Sequence, residues 1–536
     1  MQPHIMRPYI PLIATLLLIA SCTPQLPKVD KQAEEHADIF PDNDGATLPP
    51  NIAPINLRID NEGEDFITHI YTKAETQGII APGKEINIDI EQWHALLQGA
   101  KTDTLYTTIY VKNDGKWTQY PTRKNYVAEE EVDPYISYRL IQPSYVDYED
   151  IYICQRHMSD FEEKVIYENR PFSVDATTGQ CVNCHAYQDY NRTGRMQMHL
   201  RQNLGGTLII DGQQRRKMDL NTDSTLSAGV YPAWHPTLPL IAYSVNSTGQ
   251  VFHTRNTQKV EVLDYGSDLI LFDMTTNNVY DIDCAPDEYE TFPTWSPDGQ
   301  TLYFCSAHYE QQSDDIDCEL NSYYDSLRYN IYCRHYNTQT KKFGNKQTVL
   351  DAEALQKSAS QPRVSPDGKY LLFTMGDYGQ FHIWHHSARL CLMSCDSITA
   401  SDETESYTIL DDQHASYHAW SSNGRWIMFT SRRLDGNYTR LFFAYFDKKG
   451  KMHKPFLLPQ ERPTYNDELF RSYNVPEWMV EPVNTSKKEL EQTARTEAIP
   501  ARYAGSALEI PTSKTKKNTT DAVSGASIVR GNKISY

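Results

Sequence analysis

"FPTWSPDGQTLYFCS", residues 292–306, decides the fold. It opens on an aromatic residue, passes through a Ser-Pro-Asp-Gly turn, and ends in a strand-like run of apolar and aromatic residues. Pro and Asp favour the turn, and Gly supplies the backbone freedom it needs. The phrase recurs as "YPAWHPTLPLIAYS" from Tyr231, "QPRVSPDGKYLLFT" from Gln361 and "YHAWSSNGRWIMFTS" from Tyr417, at intervals of 61, 69 and 56 residues. A pair of strand-like segments follows each copy, such as "DLILFDMTTNNVYDI" and "YNIYCRHYNTQTKKF". Four strands per repeat predict the blades of a β-propeller. Trp234, Trp295 and Trp420 are expected in the core between neighbouring blades.

The aromatic-Ser-Pro-Asp-Gly phrase resembles the blade openings of the TolB-like β-propeller family, in WD-like fashion. The resemblance covers about 300 residues and implies fold only. A fifth copy is expected in "VNCHAYQDYNRTGRMQMHLR", with "NCHAYQ" lying where "TWSPDG" lies. That alignment puts the Cys motif in the opening turn of the first blade, near one face of the disc. A sixth blade could be built from residues 455–480 and the segment before Cys181. The propeller, of five or six blades, is thus expected over 161–480.

The N-terminus carries Arg7 and then the apolar run Leu12–Ala20 before Ser21 and Cys22. Nine residues are too few for a bilayer core, so 1–21 reads as a signal segment. "IASC" resembles a bacterial lipobox. The resemblance implies acylation of Cys22 and a lipid-anchored place in the cell envelope, on the periplasmic side or at the outer-membrane surface. A secreted chain with a chance Cys is the alternative. Acidic residues near a lipid Cys also occur in Bacteroidetes-like lipoproteins, although "KQAEEH" lies farther downstream. Residues 22–50 read as a flexible tether. Residues 51–160 show six short strand candidates and predict an immunoglobulin-like β-sandwich. Residues 481–536 read as a polar, disordered tail. The class is all-β. The net charge of −19 argues against a nucleic-acid partner.

The chemistry concentrates in "GQCVNCHAY", residues 179–187. Two thiols three apart, Cys181 and Cys184, can reach the two vinyl groups of a haem, and His185 can point at its iron. C-x-x-C-H is the attachment signature of c-type cytochromes, and this local resemblance implies one covalent haem c with His185 as axial ligand. Cytochromes set the motif on a helix, whereas here the flanking residues read as strands. For the far side of the iron, the next strand offers Met196 and Met198 on one face and His199 on the other. Two alternatives stand beside haem: a disulfide between Cys181 and Cys184, and a zinc site adding Cys154 and His157. Seven further cysteines, 154, 284, 305, 318, 333, 391 and 395, leave at least one unpaired; Cys391 and Cys395 are candidates for a local disulfide. The acidic stretch Ser313–Asp325 is a weaker candidate for Ca²⁺, and His235 reads as structural. No phosphate loop or nucleophile–base pair is visible. The expectation is electron transfer or haem-linked sensing with an envelope or redox protein partner, and no catalytic turnover. The alternative is a propeller scaffold that binds an envelope protein.

Overall fold

The structure is a computed structural model that describes residues 25–143, 150–169, 180–253, 258–310, 312, 315–396 and 407–509. Its core is a β-propeller whose sheets follow the repeats. Blades 1 to 5 open on Gln180–Tyr187, Val230–Trp234, Glu288–Trp295, Ser358–Val364 and Ser416–Trp420, each of which then pairs antiparallel with the next strand in sequence. The sixth blade joins the two ends of the chain. Its innermost strand, Ser472–Met479, pairs antiparallel with Tyr135–Ile141, which continues into Tyr152–His157 and Glu163–Glu168. Each innermost strand touches the next, and that of blade 6 touches that of blade 1, so the ring is closed.

The Ser-Pro-Asp-Gly turns work as expected. Gly299 N–H donates to the Ser296 carbonyl at 2.9 Å, and Ser296 Oγ accepts from the Thr301 amide at 2.9 Å. Ser365 and Ser421 repeat the pattern. Gly299 has φ +71°, and a Cβ there would lie 2.4 Å from the His235 ring, so both backbone and space require glycine. The tryptophans lie between blades. Trp234, Trp295, Trp420 and Trp478 donate their indole N–H groups to the carbonyls of Ala186, Ala233, Arg363 and Ala419, each on a neighbouring innermost strand.

Three expected boundaries move. The sandwich was to run to residue 160, but Tyr135–Ile141 and Tyr152–His157 belong to blade 6. Tyr135–Ile141 is buried almost throughout, as a strand packed on both faces must be. What remains at the N-terminal end is a mixed seven-stranded sheet, a three-stranded sheet and the helix Ile90–Gly99. These share one apolar core that runs on into blades 5 and 6 through Trp426, Phe443 and Trp478. The expected tether is ordered from residue 25. Lys31–Gln32 and Thr47–Leu48 pair with sheet strands, and Ala37, Ala46 and Leu48 are buried. The expected disordered tail is ordered to residue 509. Helix Lys487–Ala494, capped by Ser486 and Glu489, buries Leu490. The chain then adds Ile499–Pro500 to the outer strand of blade 1 and Arg502–Ser506 to that of blade 2. Strand pairing satisfies the backbone of these polar segments, which composition does not reveal. Cys22 and residues 510–536 lie outside the described residues. Among the described residues, no helix is long and apolar enough to cross a membrane.

Candidate functional site

Each innermost strand carries a bulge at the same level of the ring. The register slips there, and one residue adopts a left-handed backbone: Cys184 (φ 42°), Tyr231 (48°), Phe292 (52°), Gln361 (56°), Tyr417 (41°) and Val475 (45°). Such values are strained for side chains of this size, and the strain is met six times in register. All six residues line one cavity on the propeller axis, of about 40 Å³. Proline follows the bulge in four blades, at 232, 293, 362 and 476, where an innermost edge strand tolerates the missing N–H. Blades 1 and 5 have His185 and His418 instead.

This ring corrects the expected alignment of the Cys motif. Cys184 occupies the place of Phe292, not that of Trp295, and Tyr187 takes the place of the tryptophan. The opening turn of blade 1 is formed by residues 188–191, closed by the Asn191 amide on the Gln188 carbonyl at 3.0 Å. Gln188 then bonds the His235 carbonyl of blade 2 at 2.7 Å. Cys184 and His185 therefore lie on the inner strand and face the channel, not one face of the disc, whereas Cys181 does not line the cavity and packs in the apolar cluster with Met196 and Met198.

His185 lines the cavity and is 1 % exposed, and neither of its ring nitrogens has a hydrogen-bond partner. Burial, with Arg139 nearby, holds its pKa down at about 3, so the ring is neutral. Its counterpart His418 is also neutral and buried, but engages Thr374 Oγ1 at 3.3 Å and the Leu372 carbonyl at 3.2 Å. Cys184 and Cys181 are both buried, free thiols. Burial raises the Cys181 pKa, against the opposing pull of Arg201 and Arg139. Arg201 pairs directly across the strand from Cys181. Gln197 Nε2 donates to the Cys184 carbonyl at 2.5 Å and so anchors the bulge.

The remaining candidates are placed elsewhere. Met196 and Met198 share one face, packed in the apolar cluster that holds Cys181 and Tyr187. His199 lies on the opposite face, buried, with Nδ1 3.4 Å from Thr207 Oγ1. None of the three lines the cavity. Cys154 is in an outer strand of blade 6, and His157 bonds Asp160 at 2.8 Å, so the zinc set is not assembled. No metal-binding group is found among the described residues. Cys391 and Cys395 are unbonded thiols. The acidic stretch contributes helix Ile316–Ser322, which Asp315 caps through the Cys318 amide. His235 is structural: its Nδ1 accepts the Thr237 and Leu238 amides at 3.2 and 2.9 Å. Sequence reasoning missed Gln361, whose signal was its place ahead of Pro362 in the repeated phrase.

No family model matches the chain, and no curated protein does. Among solved structures it is similar to TolB from Acinetobacter baumannii, at 12% identity and a TM-score of 0.37, over 73% of this chain and 85% of that one. It is also similar to Kuenenia stuttgartiensis hydrazine synthase, at 10% identity and a TM-score of 0.42, over 66% of this chain and 48% of that one. A third is the β-propeller domain of the trilobed protease from Pyrococcus furiosus, at 10% identity and a TM-score of 0.30, over 67% and 95%. The sheet order and the closed ring themselves define the class, an all-β propeller protein. Likeness at this level concerns the fold alone.

Proposed function

We propose that this chain carries one covalent haem c, bound through Cys181 and Cys184 with His185 as an axial ligand, and acts in electron transfer or haem-linked sensing. The observation that carries the reading is His185: a neutral imidazole, buried at a cavity, with both nitrogens unpartnered beside two free thiols. A buried polar group without a partner is costly, and a ligand removes that cost. The donor set fits the group. Each thiol S–H adds across one vinyl C=C to form a thioether, with no oxidant required. At neutral pH His185, held neutral by burial, keeps a lone pair for iron. When bound, the haem supplies one-electron chemistry.

A cavity of about 40 Å³ has room for roughly three waters. It does not admit a porphyrin with the ring closed as described here, so the haem reading requires the innermost strands to stand farther apart around His185. Lipid on Cys22 would hold the protein at the cell envelope. Support for this comes from the sequence, and a Cys22→Ala variant that stays in the membrane fraction would exclude it.

The test of the haem reading is intact mass after expression with haem-attachment machinery. The processed wild type should be heavier than its chain by one haem, and Cys181→Ala/Cys184→Ala should return to chain mass. A wild type two hydrogens lighter than its chain would establish the disulfide, and with it the scaffold reading.

A further inference from the structure

We infer that the blade 4 loop, residues 377–388, is a lid over the mouth of the channel nearest Cys181, fastened to blade 2 by Glu261 and to blade 5 by Arg432, and that its opening controls access to Cys181 and Cys184. The inference needs nothing bound at the Cys motif, so it stands apart from the haem reading.

Strand register places the loop. In blade 4 the first residue of the innermost strand, Ser358, pairs with Gly376, so the chain leaving Gly376 emerges where the innermost strands begin. Cys181 lies at that same end, near the start of Gln180–Tyr187. In blade 2, Val230 pairs with Ser244, and the strand runs on to Phe252 and returns from Val260, so this hairpin rises above the same mouth. Glu261, on the hairpin, is 2 % exposed. Its carboxylate accepts the Tyr378 hydroxyl at 2.9 Å and lies 2.8 Å from His385 Nε2. Blade 3 separates blades 2 and 4, so these contacts pass over the end of the disc. From blade 5, Arg432 Nε donates to the Ile383 carbonyl at 2.8 Å, and its guanidinium lies over the Trp384 ring at 3.3 Å. Phe381, Ile383 and Trp384 are buried in the apolar cluster that also holds Cys181, Met198 and the channel-lining Tyr417. The packing of the loop is thus continuous with the channel wall and with the Cys motif.

The closed position also carries an opposing cost. Gln380 Oε1 and Nε2, Trp384 Nε1 and His385 Nδ1 are buried without hydrogen-bond partners. Holding such groups away from water is unfavourable, and water satisfies them once the loop lifts. Closure therefore depends on the two fastenings. Removing the Glu261 carboxylate leaves His385 and Tyr378 buried without it, which favours the open loop.

The experiment uses the full chain produced without haem-attachment machinery and kept reduced, with iodoacetamide labelling of each cysteine read by peptide mass. Cys305 in blade 3 and Cys154 in blade 6, both buried, are the internal controls. The expected result is that Glu261→Gln speeds labelling of Cys181 and Cys184 by about tenfold or more and leaves both controls at wild-type rates. A second measurement needs only the wild type. In low urea, labelling of Cys181 and Cys184 should rise with a shallower urea dependence than that of Cys305, because lifting a loop exposes less surface than unfolding the ring. Equal acceleration of all four cysteines in Glu261→Gln, or no acceleration of Cys181 and Cys184, overturns the lid. One common steep urea dependence does so as well, since the motif would then be reached only by global unfolding. All of these outcomes are read on the haem-free chain, so none of them decides whether the motif carries haem.

Discussion

Closure of the ring depends on one strand, and Trp478 is its largest buried side chain. Among the described residues, Ser472–Met479 is the sole innermost strand that pairs with residues more than 300 positions earlier in the chain. Trp478 is 1 % exposed, packs edge-on against Phe443 at 5.4 Å, and donates its indole N–H to the Ala419 carbonyl at 3.3 Å. An aromatic side chain of this size buries roughly 150–250 Å², which at about 25 cal/mol per Å² contributes roughly 4–6 kcal/mol. Trp478→Ala should therefore cost about 4 kcal/mol, within the usual range for such truncations. Trp478→Phe keeps most of the apolar contact and loses the N–H donor, so its cost should be about 1–2 kcal/mol. Guanidinium unfolding measures both as shifts of the midpoint. Limited proteolysis should cut the alanine variant first near residues 472–479, as the closing strand leaves the sheet. A loss below about 1 kcal/mol for Trp478→Ala, or equal losses for both variants, would refute the reasoning, since the contact would then not hold the ring shut.

Further outcomes can be measured. His235 has its pKa lowered to about 4 by burial, so the folded state refuses a proton that the unfolded state accepts below about pH 6.5. Its contribution is complete above pH 6.5 and is lost as the pH falls towards 4. His235→Ser, which installs the residue that blades 3 to 5 use there, should reduce the loss of stability between pH 7 and 4.5 by about 2 kcal/mol in chemical unfolding. Deleting residues 484–536 removes the buried Leu490 and Leu508 along with two added strands. Unfolding should then require roughly 3–6 kcal/mol less, and a truncated chain of wild-type stability would show that this strap is ornamental. Gly299→Ala places a Cβ 2.4 Å from the His235 ring at φ +71° and should cost more than 1 kcal/mol, whereas Gly212→Ala, with φ +60° but open space, measures the backbone part alone.

Much of the fold is legible in short phrases. The turn chemistry of Ser296–Gly299 is local: Ser and Asp side chains satisfy the amides of the next few residues, so identity and order are enough to predict it. The tryptophans ahead of these turns likewise announce a packed seam. The blade boundaries near the chain ends were less legible. "VPEW" at 475–478 repeats the inner-strand pattern of "YPAW" and "FPTW", but no Ser-Pro-Asp-Gly turn follows it, because its outer strands come from residues 135–168. The ordered segments 25–50 and 484–509 look disordered by composition, since their stability comes from pairing with distant sheet edges.

The candidate site divides in the same way. Sequence alone determined which groups are available, two thiols and an imidazole at a spacing that suits one haem edge, because that spacing is a property of five consecutive residues. Which way those groups face was decided by the closed ring. A bulge at Cys184 turns the strand so that His185 meets the channel, and the matching bulges in the other blades bring Gln361 and Tyr417 to the same level. Met196, Met198 and His199 are near in sequence, yet hydrogen bonding along the blade carries them into the seams and away from the axis. Neighbours in the chain need not be neighbours in the site: six strands, each from a different repeat, supply one bulged residue apiece, and only their closure into a ring makes the cavity.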